Sequence, residues 1–165
     1  MGCGKSELGT KIAHHKSIPF IDLDQYIESE EKTTIADLFK AHGELYFRKK
    51  ERFYLEQILG NQFPAIISLG GGTPCYFDNI ELLNQDQNSL TVFLKTSPGE
   101  LANRLLDQKD HRPMIAHLQN SKALEEFISK HLFERLPYYQ RAKKIVSTDQ
   151  KSIDALVEEI SSLLT

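Results

Sequence analysis

The first residues of the chain are the ones whose types and spacing point most directly to chemistry. Gly2-Cys3-Gly4-Lys5-Ser6 matches the second half of the phosphate-binding pattern G-x-x-x-x-G-K-[ST]. The glycines let backbone N–H groups approach phosphate oxygens, and the N-terminus of a following helix favours anions. Lys5 would place a positive charge on the β- and γ-phosphates, and Ser6 would offer its hydroxyl to Mg²⁺. A Gly-Lys-Ser sequence also occurs by chance in solvated turns, so this match needs support from elsewhere.

The front half of the pattern does not occur in the sequence. Its opening glycine would lie two residues before Met1, and a buried strand normally precedes such a loop. We therefore expect the chain to lack the first strand of its sheet and the start of the loop.

Two further clusters follow predicted strands, where ligands bind in parallel α/β sheets. Asp22 and Asp24 end one strand, although acidic residues at a strand end also serve as caps or solvated turns. Gly70-Gly71-Gly72 ends another. Each glycine in a regular element costs roughly 0.5–1 kcal/mol, so such a run favours a ligand against the main chain over a plain tight turn.

Three arginines are candidates for binding anions, because the planar guanidinium suits carboxylate and phosphate. They are Arg48, Arg112 and Arg135. Each by itself is more often a surface residue with a buried stem. Arg112 lies within residues 107–121, which have no clear periodicity, and long aperiodic segments in compact domains are typical of lids or binding loops.

Length and composition restrict the class of protein. With 165 residues and 18.9 kDa, the chain is expected to form a single domain over residues 1–165. A net charge of −3 and a pI near 6.1 argue against a nucleic-acid partner. Two cysteines form neither a disulfide framework nor a metal box, no apolar run reaches about 18 residues, and no leader pattern is seen. We expect a cytoplasmic protein without a membrane partner.

The elements that must position these residues alternate between apolar strands and amphipathic helices. This order predicts a three-layer α/β fold with a parallel sheet. The predicted strands are residues 20–24, 65–69, 90–94 and 144–147. The first predicted helix begins at Ser6. Six more span residues 34–41, 44–59, 78–84, 98–106, 122–136 and 152–164.

Taken together and in order, these motifs resemble those of the shikimate kinases over nearly the whole chain. The matching segments are Gly2-Cys3-Gly4-Lys5-Ser6, Asp22-Leu23-Asp24, Phe47-Arg48-Lys49-Lys50-Glu51, Gly70-Gly71-Gly72, Arg112-Pro113 and Arg135-Leu136-Pro137-Tyr138-Tyr139. The resemblance implies a P-loop kinase fold with strand order 2-3-1-4-5, its first strand missing here, and a lid at residues 107–121. It also implies a monomer that phosphorylates the 3-hydroxyl of shikimate with ATP and Mg²⁺, in aromatic amino acid biosynthesis.

The resemblance also implies roles on the acceptor side. Asp24 would bind the shikimate hydroxyls and accept the proton of the attacking 3-hydroxyl. Arg48 and Arg135 would grip the shikimate carboxylate, and Glu51 would hold Arg48. The backbone of Gly70, Gly71 and Gly72 would contact the ring.

On the nucleotide side, the resemblance implies that residues 2–7 surround the phosphates of ATP. Lys5 and Arg112 would act in catalysis, Ser6 and Asp22 would organise Mg²⁺, and Arg104 would stack on adenine. Gly2, Cys3, Gly4 and Glu7 complete the ATP-binding set. Glu7 stands where the family usually has Thr, so we expect weaker nucleotide binding and regard Cys3 as a spectator.

Two alternative hypotheses remain at this stage. A related P-loop kinase for gluconate, a nucleoside monophosphate or another small molecule would share Lys5 and Ser6, but should lack Arg48 and Arg135 together with the triple glycine. An inactive module that binds nucleotide or shikimate would follow from the truncated loop.

Overall fold

The computed structural model describes residues 2–61, 63–106 and 120–164. Within these ranges, helices alternate with short strands from end to end. The helices are α1 Lys5–Lys16, α2 Leu23–Glu31, α3 Ile35–His42, α4 Glu44–Gly60, α5 Asn79–Gln85, α6 Pro98–Leu106, α7 Ser121–Tyr139 and α8 Ile153–Ser161. The strands are β1 Phe20–Asp22, β2 Ile66–Ser68, β3 Val92–Lys95 and β4 Lys144–Ser147, and a 3₁₀ turn spans Thr73–Cys75.

The strands form two parallel pairs. β1 pairs with β2, with Asp22 opposite Ser68, and β3 pairs with β4, with Lys95 opposite Ser147. In the described residues no strand lies between β2 and β3, and both strands line a cavity of about 1280 Å³. The parallel pairing brings the carboxyl ends of the strands to the same side of each pair, which is where the candidate residues were expected.

Three apolar clusters form the core. The first packs α2, α3, α4 and α5 around Ile27 and Leu55, which are both fully buried. The second packs α1 and α8 on Val146 of β4, and the third joins α6 to α7 around Leu105 and Leu124. Helices thus cover the strands as in a layered α/β domain. None of the described helices meets the length and apolarity needed to cross a membrane.

Most predicted elements are confirmed, and the helix at residues 98–106 and the strand at 144–147 have the predicted bounds. The predicted strand at 20–24 is too long, because the Asp22 side chain caps the next helix by accepting a hydrogen bond from the Asp24 N–H at 3.1 Å. Asp24 therefore lies in the first turn of α2, a helix that the sequence reading missed.

The helix predicted to end at Leu136 continues through Pro137 to Tyr139. Of the segment predicted to be a lid, residues 107–119 lie outside the described residues. Its last two residues begin α7, where the Asn120 side chain accepts a hydrogen bond from the Ala123 N–H at 2.8 Å. The lid therefore stays a prediction.

Candidate active site

The phosphate loop, residues 2–6, has the backbone shape that its glycines predicted. Gly2 and Gly4 have φ values of 75° and 79°, in the left-handed region that favours glycine. Gly4 caps α1, which begins at Lys5. A Cβ atom on Gly2 would also lie 2.8 Å from Leu105 Cγ, so the loop is packed closely against α6. The N–H groups in the first turn of a helix such as α1 favour an anion.

Lys5, Ser6 and Asp22 form the polar group beside this loop. The Ser6 hydroxyl donates a hydrogen bond to Asp22 Oδ2 at 2.8 Å, and Lys5 Nζ lies 3.9 Å from the same oxygen. The Lys5 side chain remains 35% exposed, whereas that of Asp22 is only 9% exposed. The lysine is thus held loosely at the mouth of the loop, and Asp22 is fixed.

The same group fits a hydrated Mg²⁺, which prefers oxygen ligands and keeps several waters. Ser68 lies opposite Asp22 in the β1–β2 register, and its buried Oγ has no hydrogen-bond partner among the described residues. Those residues contain no group of three or more His, Cys, Asp or Glu side chains suited to a metal. An ion here would therefore be held by Ser6, Asp22, water and the phosphates of the nucleotide.

The glycine turn, Gly70–Gly72, is where the acceptor-side residues meet. A Cβ atom on Gly70 would lie 2.9 Å from Asp24 Oδ1, and one on Gly72 would lie 2.5 Å from Arg48 Nη2. On Gly71 it would lie 3.2 Å from Arg135 Nη1. Side-chain atoms of three predicted site residues thus occupy the space that larger residues would need. The turn consists of glycine because functional groups pack directly on its backbone.

Arg48 and Glu51 form a buried ion pair on α4. Arg48 Nη1 donates to Glu51 Oε2 at 2.9 Å, and the Glu51 side chain is fully buried. The other carboxylate oxygen accepts a hydrogen bond from Thr73 Oγ1 at 2.6 Å, so Glu51 also ties α4 to the glycine turn. Burial acts to lower the pKa of Arg48, but the negative charge of Glu51 and the hydrogen bonds to Glu51 and Glu44 raise it overall. The predicted role of Glu51 in holding Arg48 agrees with this geometry.

Arg135 reaches the glycine turn from the last turns of α7, together with Tyr139. The Tyr139 hydroxyl donates a hydrogen bond to the Gly71 carbonyl oxygen at 2.6 Å, and its ring packs 5.1 Å from that of Phe93. Burial raises the pKa of Tyr139, so the hydroxyl keeps its proton for this bond. The motif containing Tyr139 was recognised from the sequence, but no role was given to this residue.

Asp24 lies among other charged groups. Burial raises its pKa, the nearby carboxylates of Asp22 and Glu51 act in the same direction, and Lys5 and Arg48 oppose them. A carboxylate with a raised pKa is a better proton acceptor near neutral pH than an ordinary one. Burial and the two neighbouring carboxylates thus make Asp24 more basic than an ordinary aspartate.

One cavity connects the two groups of residues. The cavity of about 1280 Å³ is lined by Lys5 from the phosphate loop and by Asp24, Gly70, Gly71 and Arg135 from the acceptor side. A nucleotide on the loop and a small anionic acceptor near the glycine turn would share this space. Most of the other lining residues are apolar, including side chains of α1, β2, β3 and α8, so these polar groups occupy only part of the cavity wall.

The remaining predicted residues are placed less distinctively. Arg104 is ion-paired with Glu100 on its own helix, with Nε 2.8 Å from Oε1, and Glu7 is exposed in the first turn of α1. Cys3 packs against the α6–α7 cluster, which agrees with a spectator role. Arg112 lies outside the described residues.

This combination of fold and site defines a class of protein. A layered α/β domain with parallel strands, a glycine loop, Lys5 and Ser6 at the start of α1, and two arginines packed against a glycine turn is typical of P-loop small-molecule kinases.

Comparisons with known proteins narrow the class to one family. The family model described as shikimate kinase matches residues 1–165. A shikimate kinase of Flavobacterium johnsoniae is 43% identical over 164 residues, which cover 99% of this chain and 94% of that protein. The chain belongs to the shikimate kinase family.

Solved structures agree with this assignment. The crystal structure of shikimate kinase from Bacteroides thetaiotaomicron superposes with a TM-score of 0.85 at 36% identity, covering 99% of this chain and 93% of that one. Shikimate kinase from Acinetobacter baumannii, in complex with shikimate, gives 0.80 at 28% identity, covering 99% and 88%. The predicted P-loop kinase fold is confirmed, and so is the predicted function, an ATP-dependent kinase of this family.

One expectation is not borne out by these matches. The family model matches from residue 1, and the Flavobacterium relative is covered over 94% of its length. The matches therefore give no support to a missing start of the phosphate loop.

Proposed function

We propose that the cavity shared by the phosphate loop and the glycine turn is the active site, where the γ-phosphoryl group of ATP passes to the 3-hydroxyl of shikimate. The observation that carries this proposal is the packing at the glycine turn. A Cβ atom built on each of the three glycines would lie within 3.2 Å of a side-chain atom of Asp24, Arg48 or Arg135. A proton acceptor and two carboxylate-binding groups at one turn suit a hydroxylated carboxylic acid better than a nucleoside monophosphate, and membership of the shikimate kinase family favours shikimate over gluconate.

In the proposed reaction, Arg48 and Arg135 bind the shikimate carboxylate through their N–H groups and fix the ring beside the backbone of the glycine turn. Asp24 accepts the proton of the 3-hydroxyl while that oxygen bonds to the γ-phosphorus. The bond from the γ-phosphorus to the bridging oxygen breaks, and ADP leaves with the electron pair. Catalysis here consists of positioning and charge stabilisation, which Lys5 supplies on the phosphates.

Mg²⁺ would neutralise charge on the β- and γ-phosphates when bound. We propose that Ser6 and Asp22 hold it, the serine by its hydroxyl and Asp22 through water. Gly2, Cys3, Gly4 and Glu7 are proposed to line the phosphates through their backbone N–H groups, and Arg104 to approach adenine. Arg112 stays a prediction from the sequence for the same phosphates.

We further propose one domain acting as a monomer in the cytoplasm, without nucleic-acid or membrane partners. The free state of Cys3 and Cys75 suits a reducing compartment, and the acidic balance of charge does not favour polyanions. Size-exclusion chromatography with light scattering tests the monomer, and a dimeric mass would contradict it.

The function is tested by incubating the protein with ATP, Mg²⁺ and shikimate and following ADP release. We expect stoichiometric shikimate 3-phosphate, identified by ³¹P NMR and mass spectrometry. Gluconate and AMP serve as parallel acceptors and should give no product. Product from gluconate or AMP alone would assign another acceptor, and binding of ATP or shikimate without any turnover would identify an inactive module.

A further inference from the structure

We propose that Tyr76 is a positioning residue for Arg48, holding the guanidinium plane in the orientation that receives the acceptor carboxylate. The proposal rests on the proposed function for the identity of that carboxylate. The stacking itself is a property of the described residues. Tyr76 follows the 3₁₀ turn after the glycine turn, and its ring centroid lies 4.2 Å from Arg48 Cζ.

The ion pair with Glu51 does not by itself fix the arginine. Glu51 receives one hydrogen bond from Nη1, so the guanidinium plane can still turn about that contact. The second carboxylate, Glu44, lies 3.3 Å from Nη2, which is long for an N–H···O hydrogen bond, and its side chain is 51% exposed. Two carboxylates of unequal strength therefore leave the plane of Arg48 underdetermined, and the Phe47 ring, with its centroid 5.1 Å from Cζ, lies farther away than that of Tyr76.

Tyr76 restrains the guanidinium plane of Arg48 in two ways. Its ring lies on the guanidinium, a contact in which cation–π attraction and stacking favour a parallel plane. Its hydroxyl donates a hydrogen bond to Glu44 Oε1 at 2.6 Å, the same oxygen that faces Arg48 Nη2. This bond is the main reason that the pKa of Glu44 is lowered, so the carboxylate stays charged opposite the arginine.

The neighbouring aromatic residue, Phe77, has a different environment. Phe77 has a φ of 52°, a conformation that is uncommon for an aromatic residue, and its own side chain is half exposed. Of the two adjacent rings, it is that of Tyr76 that lies over the Arg48 guanidinium. Gly72 makes room for the guanidinium at this place, since a Cβ atom on that residue would lie 2.5 Å from Arg48 Nη2.

Two variants of Tyr76 separate the effects of the ring and the hydroxyl. Tyr76→Ala removes both restraints, and we expect KM for shikimate to rise at least about tenfold while KM for ATP changes less than about twofold. Tyr76→Phe keeps the ring and should raise KM for shikimate only about two- to fourfold. Phe53→Ala, which removes an exposed ring from the same helix as Arg48, is the control and should leave both constants unchanged.

A second readout does not depend on activity. The ¹H–¹⁵N signal of the Arg48 Nε–H group, assigned by its loss in Arg48→Lys, should carry a ring-current shift that persists in Tyr76→Phe and disappears in Tyr76→Ala. An unchanged Arg48 signal in folded Tyr76→Ala, or an unchanged KM for shikimate, would overturn the positioning role. If the wild-type protein did not phosphorylate shikimate, the proposed function would fail, and the NMR signal would still decide whether Tyr76 orients Arg48.

Discussion

The glycine turn and the phosphate loop line the same cavity, but they hold their charged side chains very differently. At the glycine turn, Arg48 donates hydrogen bonds to Glu51 and Glu44, stacks against the Tyr76 ring and is buried. At the phosphate loop, Lys5 has one ionic contact among the described residues, at 3.9 Å from Asp22, and keeps a third of its surface exposed.

This difference follows from what each side must do. The proposed acceptor is small and carries one carboxylate, so a rigid site can recognise it without ordering side chains on binding. The transferred phosphoryl group changes position and charge during the reaction, and a flexible lysine can follow it. The proposed acceptor side is therefore preorganised by its own ion pairs, whereas we expect the phosphate side to be completed by its ligand.

The largest effect should come from breaking the acceptor side. Arg48→Ala leaves the buried carboxylate of Glu51 without its counter-charge, and we expect a loss of about 3–5 kcal/mol in the free energy of unfolding. Urea titration measures this loss. Lys151→Ala breaks an exposed ion pair with Glu159 and is the control, expected to cost less than about 1 kcal/mol.

A double variant sharpens the same test. Arg48→Met with Glu51→Met replaces the pair by apolar side chains and should recover most of the stability, while shikimate turnover stays lost. Recovery of turnover would show that the pair is structural alone. An Arg48→Ala protein as stable as wild type would show that Glu51 does not depend on its partner.

The phosphate side should respond in the opposite way. Lys5→Met removes a charge used in the transition state, and we expect kcat to fall about 10²–10³-fold. Stability should change by less than about 0.5 kcal/mol, because Lys5 makes little contact in the folded chain. Lys11→Met on the exposed side of α1 is the matched control for turnover. A large loss of stability in Lys5→Met would remove the contrast between the two regions.

The glycine turn illustrates what the sequence could and could not predict. A run of three glycines indicates that something packs against the backbone, and this was predicted as a ligand. The structure shows that Asp24, Arg48 and Arg135 already pack there. These residues come from α2, α4 and α7, and the contacts between distant helices depend on tertiary packing that spacing in one sequence does not encode.

Other misses also have local physical causes. The predicted strand was a buried one that runs out into polar residues at Asp22 and Asp24, whereas the cap formed by Asp22 ends the strand and starts α2. The last predicted long helix ended at Leu136, but α7 continues through Pro137 to Tyr139, whose hydroxyl donates a hydrogen bond to the Gly71 carbonyl oxygen. By contrast, the left-handed backbone of Gly2 and Gly4 is a local feature, because a positive φ depends on the sterics of the residue itself.

A smaller change tests how rigid the acceptor side is. Gly72→Ala places a Cβ atom 2.5–2.8 Å from Nη2, Nη1 and Cζ of Arg48. Because the guanidinium is held by Glu51 and Tyr76, it cannot move away freely, and we expect a loss of about 1–3 kcal/mol in stability with a raised KM for shikimate. Thermal denaturation and initial rates measure both effects.

The control for this substitution is Gly60→Ala at the end of α4, where a Cβ atom would meet nothing within 4 Å. Alanine favours helix over glycine by about 0.8–1 kcal/mol, so this variant should be slightly more stable than wild type. If Gly72→Ala were equally well tolerated, Arg48 would be mobile and the two sides of the cavity would not differ in rigidity.

The smallest expected effect concerns the cost of holding Asp24 on the rigid side. Burial raises its pKa above the ordinary value of 3.8, so the charged form is disfavoured in the folded protein relative to the unfolded chain. That cost is fully present above the raised pKa and vanishes below the ordinary value, where both states are protonated. Asp24→Asn should therefore raise the melting temperature near pH 7, and the gain should shrink as the pH falls toward about 4.

The gain in stability should accompany a loss of turnover of about 10²–10⁴-fold, since the variant lacks the proposed base. Calorimetry over this pH range measures the first effect, and Asp154→Asn, at a carboxylate that is 85% exposed, tests whether removing any aspartate gives the same profile. Destabilisation of Asp24→Asn at every pH would mean that Lys5 and Arg48 compensate the carboxylate more than burial penalises it. If Asp24→Asn were more stable than wild type only at higher pH, holding the Asp24 carboxylate on the preorganised side would cost stability. The loosely held Lys5 on the phosphate side avoids such a cost.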